Sequence, residues 1–219
     1  MQVPVAIGVM AAAPLPGRCK PELLAAYGAE WVANLYAAML RDTLDGLNSI
    51  DAASYVVFTD DEAKGALERH VPAPWTIATL EGDETGARVE KAFALLLKEA
   101  GCAIVAGSDA PSFPIEPLAK ALEEMTEAPR AIVAPTEGGT TYLLALNQLL
   151  PRVVRDVAWN TPALVDTIRL RAKEAGLPIV ELPPWYAVEA PSDVLRLIDE
   201  MRVAPERAPR TAQFLVTHA

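Results

Sequence analysis

The sequence predicts an α/β fold with a mainly parallel sheet covered by helices on both faces. Three observations carry this reading. Short, continuously apolar runs alternate along the chain with longer segments of helical spacing. The runs lack the every-other-residue polarity of a sheet with one wet face, which is how strands buried on both sides read. The most unusual loops, residues 11–23, 107–113 and 135–140, lie at or between strand ends, where α/β sheets place their ligands.

Val3 to Met10 is a β-branched apolar run broken by Gly8, and it ends in Pro14-Leu15-Pro16-Gly17. Ala29 to Leu47 sets Trp31, Val32, Leu35, Met39, Leu40, Leu44 and Leu47 at roughly helical spacing. Ser54 to Phe58 reads as a strand, and Thr59-Asp60-Asp61-Glu62 behind it fits a capping box that opens a helix. Trp75 to Leu80 is a third strand. Arg88 to Ala100 is helical, with Gly101 placed to end it. Cys102 to Ala106 is a buried strand that runs straight into Gly107-Ser108-Asp109-Ala110-Pro111. Then come a helix at Ile115 to Met125, strands at Ala131 to Ala134 and Thr140 to Leu146, and a helix at Thr161 to Ala175. A strand at Ile179 to Leu182 and a helix at Pro191 to Met201 complete the pattern. Residues 202–219 show no clear periodicity and read as a tail on one domain spanning 1–219.

Composition removes several function classes. The 219 residues are 52% hydrophobic and 22% charged, the balance of a globular chain and not of a disordered one. Nineteen basic against twenty-nine acidic side chains leave a net charge of −10. A nucleic-acid backbone or an anionic lipid surface repels such a protein. Cys19 and Cys102 show no Cys-x-x-Cys spacing, and the histidines are His70 and His218. That excludes a disulfide framework, a cysteine-rich zinc site and HExxH chemistry. The N-terminal apolar run has no cationic stretch before it and is too short to span a bilayer. A cytoplasmic protein without a membrane span is expected.

The loops each admit two readings. In Ala13-Pro14-Leu15-Pro16-Gly17-Arg18-Cys19-Lys20, Arg18 and Lys20 put two cations just after the first strand, where they could grip a phosphate. The same residues could form a plain surface turn, and no P-loop ending is present. Asp109 follows a buried strand, where it could be an oxygen ligand for Mg²⁺ or Mn²⁺ beside a pyrophosphate. Alternatively, Ser108 or Asp109 caps the next helix. Gly138-Gly139 could let backbone approach a ligand or could make a hairpin turn. Trp159 and Trp185 lie in aromatic-rich loops that could stack on a sugar or base, or serve as satellite packing.

Taken together, VMAAAPLPGRCK, GSDAPSF, PTEGGTTYLLAL, WNTP and LPPWYAVEAPSDVLRL stand in an order and spacing that resembles one family. It is a bacterial family of candidate nucleotide-diphospho-sugar transferases, related to molybdenum-cofactor guanylyltransferase-like nucleotidyltransferases. The resemblance spans about residues 3 to 200. It implies a three-layer, Rossmann-like A-type glycosyltransferase fold with a mainly parallel mixed sheet. Three segments depart from the family pattern. Pro21-Glu22 replaces Thr-Arg after Lys20, Glu137 and Thr140 replace Asp and Tyr around the glycine pair, and Ala187-Val188-Glu189 replaces Asp-Val-Asp.

The resemblance implies a metal-assisted glycosyltransferase using a nucleotide-diphospho-sugar donor. Its alternatives are a nucleotidyltransferase joining an NTP to a phosphorylated small molecule and a nucleotide-binding homologue without turnover. Asp109 and Glu189 would hold a divalent metal, Mg²⁺ or Mn²⁺. Pro16, Gly17, Arg18, Lys20, Arg88 and Ser108 would bind nucleotide and phosphate. Gly138, Gly139, Thr140 and Trp159 would line the sugar or acceptor side, with Glu137 as general base. The expected partner is a nucleotide or nucleotide-sugar, and association into a homo-oligomer is left open.

Overall fold

The computed structural model describes residues 3–82 and 84–218. In chain order the elements are β1 (Val5–Met10), a 3₁₀ turn (Pro21–Leu23), α1 (Leu24–Tyr27), α2 (Ala29–Leu47), β2 (Ser54–Thr59) and α3 (Asp61–Leu67). They continue with β3 (Thr76–Thr79), α4 (Thr85–Glu99), β4 (Cys102–Ala106), α5 (Glu116–Glu123), β5 (Ala131–Pro135) and β6 (Thr141–Leu146). The last are α6 (Pro151–Val154), α7 (Leu164–Glu174), β7 (Ile179–Glu181), α8 (Pro191–Val203), a second 3₁₀ turn (Pro205–Arg207) and α9 (Pro209–His218).

Among the described residues, seven strands form one sheet in the order β3-β2-β1-β4-β6-β5-β7. All pairings are parallel except those of β6, which runs antiparallel to both β4 and β5. Strand side chains alternate between two dry layers. Val5, Ile7 and Val9 join Ile104 and Ile132 under α2, α3 and α5. Ala6, Phe58, Ala103 and Val133 face the opposite way, under α4, α6 and α7. The expected mainly parallel, three-layer α/β architecture is what the chain builds.

Several boundaries differ from the sequence reading for local reasons. Thr59 ends β2, and the cap of α3 is Asp60, whose Oδ1 accepts from the Ala63 amide at 2.8 Å. Helix α4 begins at Thr85, three residues before the periodicity starts; Gly86 in its first turn, a poor helix former, hides that start in the sequence. Residues 202–219, expected as a patternless tail, contain α9, which packs with α2 and α8 around Leu35, Met39, Leu197 and Leu215. Buried Asp42, in the middle of α2, caps α9: its carboxylate accepts from the amides of Arg210 at 3.1 Å and Thr211 at 2.7 Å. Orphan amides of a helix start need such partners.

Candidate functional site

Strand order reverses between β1 and β4, since the chain leaves β1 toward β2 on one side and returns to β4 on the other. Doubly wound sheets open a crevice at such a point. Here the two strands feed the 11–23 and 107–113 loops into it, and a cavity of about 660 Å³ lies over their C-terminal ends.

Three contacts knit these loops. Lys20 Nζ lies 2.6 Å from Asp109 Oδ1 and 3.6 Å from Glu22 Oε1. The Lys20 side chain is only 8% exposed, and its backbone is left-handed at φ 48°, an uncommon and costly conformation for a residue with a side chain. Tyr36, from α2, reaches Ser108 at 2.7 Å, while Ser108 Oγ donates to the Met10 carbonyl at 3.2 Å. The phenol therefore donates to Ser108 and accepts from the Ala12 amide at 2.9 Å. Finally, the Val188 amide donates to the Asp109 carbonyl at 2.7 Å, bringing the 183–189 loop alongside. Neither Ser108 nor Asp109 caps a helix: α5 starts only at Glu116.

Lys20, Arg88, Ser108, Asp109, Gly138, Thr140, Trp159 and Glu189 all line this cavity. Pro16, Gly17, Arg18, Glu137 and Gly139 do not. Arg18 instead pairs with Glu62 at the surface. Both carboxylate oxygens of Glu137 are taken by the guanidinium of Arg196, which holds its carboxyl below the usual range. Sequence reading missed Tyr36, Asp60, Thr85 and Asn160, which also line the cavity. Tyr36 carried a signal, because it is the one phenol among the aliphatic residues of α2's buried side.

Gly86 explains how the far wall closes. A Cβ on Gly86 would come within 2.8 Å of the Arg155 carbonyl and 3.0 Å of the Trp159 ring, so glycine lets the start of α4 touch the 155–160 loop. Asn160 then donates to Thr85 Oγ1 at 3.0 Å, and Trp159 Nε1 donates to the Val154 carbonyl at 2.6 Å. Next to this wall, the buried Nε of Arg88 has no hydrogen-bond partner among the described residues, an expensive state for a charged group.

The sequence profile of DUF2064, described as "Uncharacterized protein conserved in bacteria", matches residues 43–161. The chain belongs to this family. In this DUF2064 protein the matched span carries Arg88, Ser108, Asp109, Gly138, Thr140 and Trp159, whereas Lys20 and Glu189 lie outside it. No curated protein matches the chain in sequence.

Solved structures share its fold. A Desulfovibrio desulfuricans G20 protein described as a candidate nucleotide-diphospho-sugar transferase superposes with a TM-score of 0.85 at 21% identity, over 98% of this chain and 97% of the other. A nucleotidyl transferase from Methanothermobacter gives 0.65 at 15% identity, over 91% and 98%. CMP:2-keto-3-deoxy-manno-octonic acid synthetase complexed with CTP gives 0.59 at 14%, over 91% and 99%. These likenesses establish for the DUF2064 chain the nucleotide-diphospho-sugar transferase-like fold that its motifs resemble.

Electrostatically, the cavity of this DUF2064 protein is acidic. Lys20 and Arg88 face Glu22, Asp60, Asp109 and Glu189. Burial pushes the Glu189 carboxyl above the usual range; Lys20 opposes this, while the charges of Asp109, Asp193 and Glu22 add to it. Burial likewise raises the Cys19 thiol to about 11, leaving it an unreactive wall residue. Among the described residues no group of three or more His, Cys, Asp or Glu side chains is arranged to hold a metal, and no helix is long and apolar enough to cross a membrane.

Proposed function

We propose that the cavity binds a nucleotide-diphospho-sugar together with a divalent cation, and that the protein is a metal-assisted glycosyltransferase. The observation that carries the reading is the Lys20–Asp109 ion pair at the reversal point between β1 and β4. It supports a phosphate-binding cation and an oxygen ligand meeting at one spot.

The donor set supports Mg²⁺ or Mn²⁺ arriving with the nucleotide. Asp109 and Glu189 are two carboxylates on loops joined by the Val188–Asp109 bond, and Mg²⁺ is commonly held by one or two carboxylates plus substrate phosphates. They do not suit a resident metal, which would need more protein ligands. When bound, the cation would neutralise charge on the departing diphosphate.

The protein's own residues have distinct parts in this reading. Lys20 neutralises Asp109 until phosphate arrives and then shares its ammonium with the phosphate oxygens. Arg88, which lines the cavity, offers its guanidinium to phosphate or sugar oxygens. Gly138, Thr140 and Trp159 line the sugar or acceptor side. Glu137, tied to Arg196, serves the turn beside the cavity and takes no proton.

A second reading, a nucleotidyltransferase joining an NTP to a phosphorylated small molecule, is favoured by the nucleotidyl transferase and the CTP-bound synthetase among the structures of like fold. Thermal-shift and calorimetric titration of nucleotides and nucleotide sugars, with and without Mn²⁺, tests both. A ligand at 100 times its dissociation constant adds about 2.7 kcal/mol. Release of nucleoside diphosphate from a nucleotide sugar supports glycosyl transfer, and pyrophosphate release from an NTP supports the second reading. Binding without either product leaves a nucleotide-binding protein only, and stabilisation by no nucleotide overturns all three.

A further inference from the structure

Glu200, on α8, makes no contact with the cavity, yet it joins the two loops that carry Asp109 and Glu189. Its Oε2 accepts from Ser112 Oγ at 2.9 Å and from the Tyr186 hydroxyl. Ser112 is three residues beyond Asp109, and Tyr186 is three residues before Glu189. Ser112 Oγ also accepts from Trp185 Nε1 at 3.3 Å, so each loop touches the other as well as the shared carboxylate. On the far side, Oε1 accepts from Arg207 at 3.2 Å.

The burial of this cluster matters. Ser112 is 2% exposed, Tyr186 5%, and the Glu200 side chain 14%. A buried carboxylate needs its acceptor sites filled, and here two of the donors that fill them come from two different loops. The Arg196 guanidinium lies 4.1 Å above the Tyr186 ring, which fixes the phenol further. Loops positioned by a buried, fully engaged carboxylate have little freedom to spread, while the same loops without it would be tied only by the Val188–Asp109 backbone bond and the Trp185–Ser112 contact.

We infer that Glu200 is a positioning residue: through Ser112 and Tyr186 it sets the separation of Asp109 and Glu189, and thereby the affinity of the site for a divalent cation. The inference rests on the proposed role of those two carboxylates. Groups that orient metal ligands from behind matter to metal affinity nearly as much as the ligands do.

The test compares Glu200→Ala and Glu200→Gln with the wild type in two measurements. The first is hydrogen–deuterium exchange of residues 107–113 and 183–190 without ligand. Glu200→Ala should speed exchange in both segments, and Glu200→Gln, whose amide oxygen still accepts from the two hydroxyls, should restore protection. The second is Mn²⁺ affinity, read by the electron paramagnetic resonance of free Mn²⁺ with a saturating nucleoside diphosphate. Glu200→Ala should weaken it about tenfold, with recovery in Glu200→Gln. Asp42→Ala controls for general destabilisation, because the Asp42 carboxylate bonds to α9 and to neither loop, and it should weaken Mn²⁺ binding less than Glu200→Ala does.

If Glu200→Ala does not fold, Tyr186→Phe releases the 183–190 loop and should loosen that segment alone, whereas Ser112→Ala also frees Trp185 and should loosen both segments. Unchanged exchange in both segments, or an equal loss of Mn²⁺ affinity in Asp42→Ala, overturns the inference. A wild type that binds no Mn²⁺ with any nucleotide overturns the functional reading instead, and the exchange measurement still decides whether Glu200 positions the loops.

Discussion

Gly139 turns its missing side chain onto the backbone of Pro162: a Cβ there would stand 2.1 Å from the Pro162 carbonyl oxygen. The backbone is left-handed at φ 84°, and the Gly139 carbonyl accepts from the Val165 amide at 3.1 Å. Gly139 thus serves a tight turn and a close approach of two loops. Its neighbour differs, because a Cβ on Gly138 would meet only Thr136 Oγ1, at 3.8 Å, and Gly138 lines the cavity.

The two glycines should therefore separate in mutants. Gly139→Ala should lower stability without ligand, by about 1–2 kcal/mol for the left-handed backbone plus the cost of displacing Pro162, and so lower the melting temperature. Gly138→Ala should melt near the wild-type temperature and bind nucleotide sugars more weakly. Melting curves and calorimetry on both proteins check this. Equal melting losses in the two mutants would refute the division.

How much of this was legible in the sequence depends on what kind of contact decides each feature. The parallel strands were legible because burial on both faces writes itself as unbroken apolar runs such as Cys102 to Ala106. The direction of β6 was only half legible: β5 and β6 are equally apolar, and it hung on whether Gly138-Gly139 made a hairpin turn or admitted a ligand, the turn being what reverses the chain. Helix α9 was hidden because its cap, Asp42, lies 169 residues from Thr211. At the site, Asp109 could be singled out by its place after a buried strand. That Lys20 turns inward while Arg18 turns to Glu62 could not, since an irregular loop has no periodicity to set the direction of a side chain.

The long-range cap gives a second prediction. Asp42→Ala leaves the amides of Arg210 and Thr211 without their acceptor and should cost about 0.5–2 kcal/mol, the range for a lost helix cap. Faster amide exchange confined to 209–218 would locate the loss in α9. Exchange that rises equally throughout the chain would show that Asp42 does not act as a cap.

The Glu137–Arg196 pair predicts a pH dependence. Arg196 lowers the Glu137 carboxyl pKa below its ordinary 4.5. The folded state therefore binds that proton less tightly than the unfolded chain does. The pair's contribution to stability is present above about 4.5 and is lost as pH falls through the lowered value. Because both side chains are about half exposed, the gain in stability is small. Side-chain NMR titration should place Glu137 below its ordinary 4.5, and Arg196→Met should return it toward that value. A Glu137 titration unaffected by Arg196→Met would break the assignment.

Glu22 lies 3.6 Å from the Lys20 ammonium and adds negative charge to an already acidic cavity, so in the proposed site it would compete with phosphate for Lys20. Glu22→Gln should tighten binding of a nucleoside diphosphate, and Glu22→Arg should do so further. Calorimetry at low and high salt checks the cause, because an electrostatic gain shrinks as salt screens it. Equal affinity in both mutants would mean that phosphate does not approach this side of Lys20.

The last prediction concerns the ion pair itself. In the proposed site Lys20 holds the position of a cation beside Asp109 and Glu189 until a nucleotide draws its ammonium away. Removing either partner should then have opposite effects on metal binding. Asp109→Asn keeps the shape of the side chain and, since Asp109 caps no helix, should fold normally while losing the Mn²⁺-dependent part of nucleotide affinity. Lys20→Met leaves the carboxylates without their resident cation, so Mn²⁺ should bind this mutant in the absence of nucleotide about tenfold more tightly than wild type, or roughly 1.4 kcal/mol. Nucleotide affinity should fall in the same mutant, because the phosphate has lost its ammonium. Mn²⁺ titrations followed by electron paramagnetic resonance, with and without nucleoside diphosphate, measure all of these. If Lys20→Met binds Mn²⁺ no better than wild type, Lys20 and the metal do not share a site, and if Asp109→Asn keeps its metal dependence, the ligand must be sought elsewhere in the cavity.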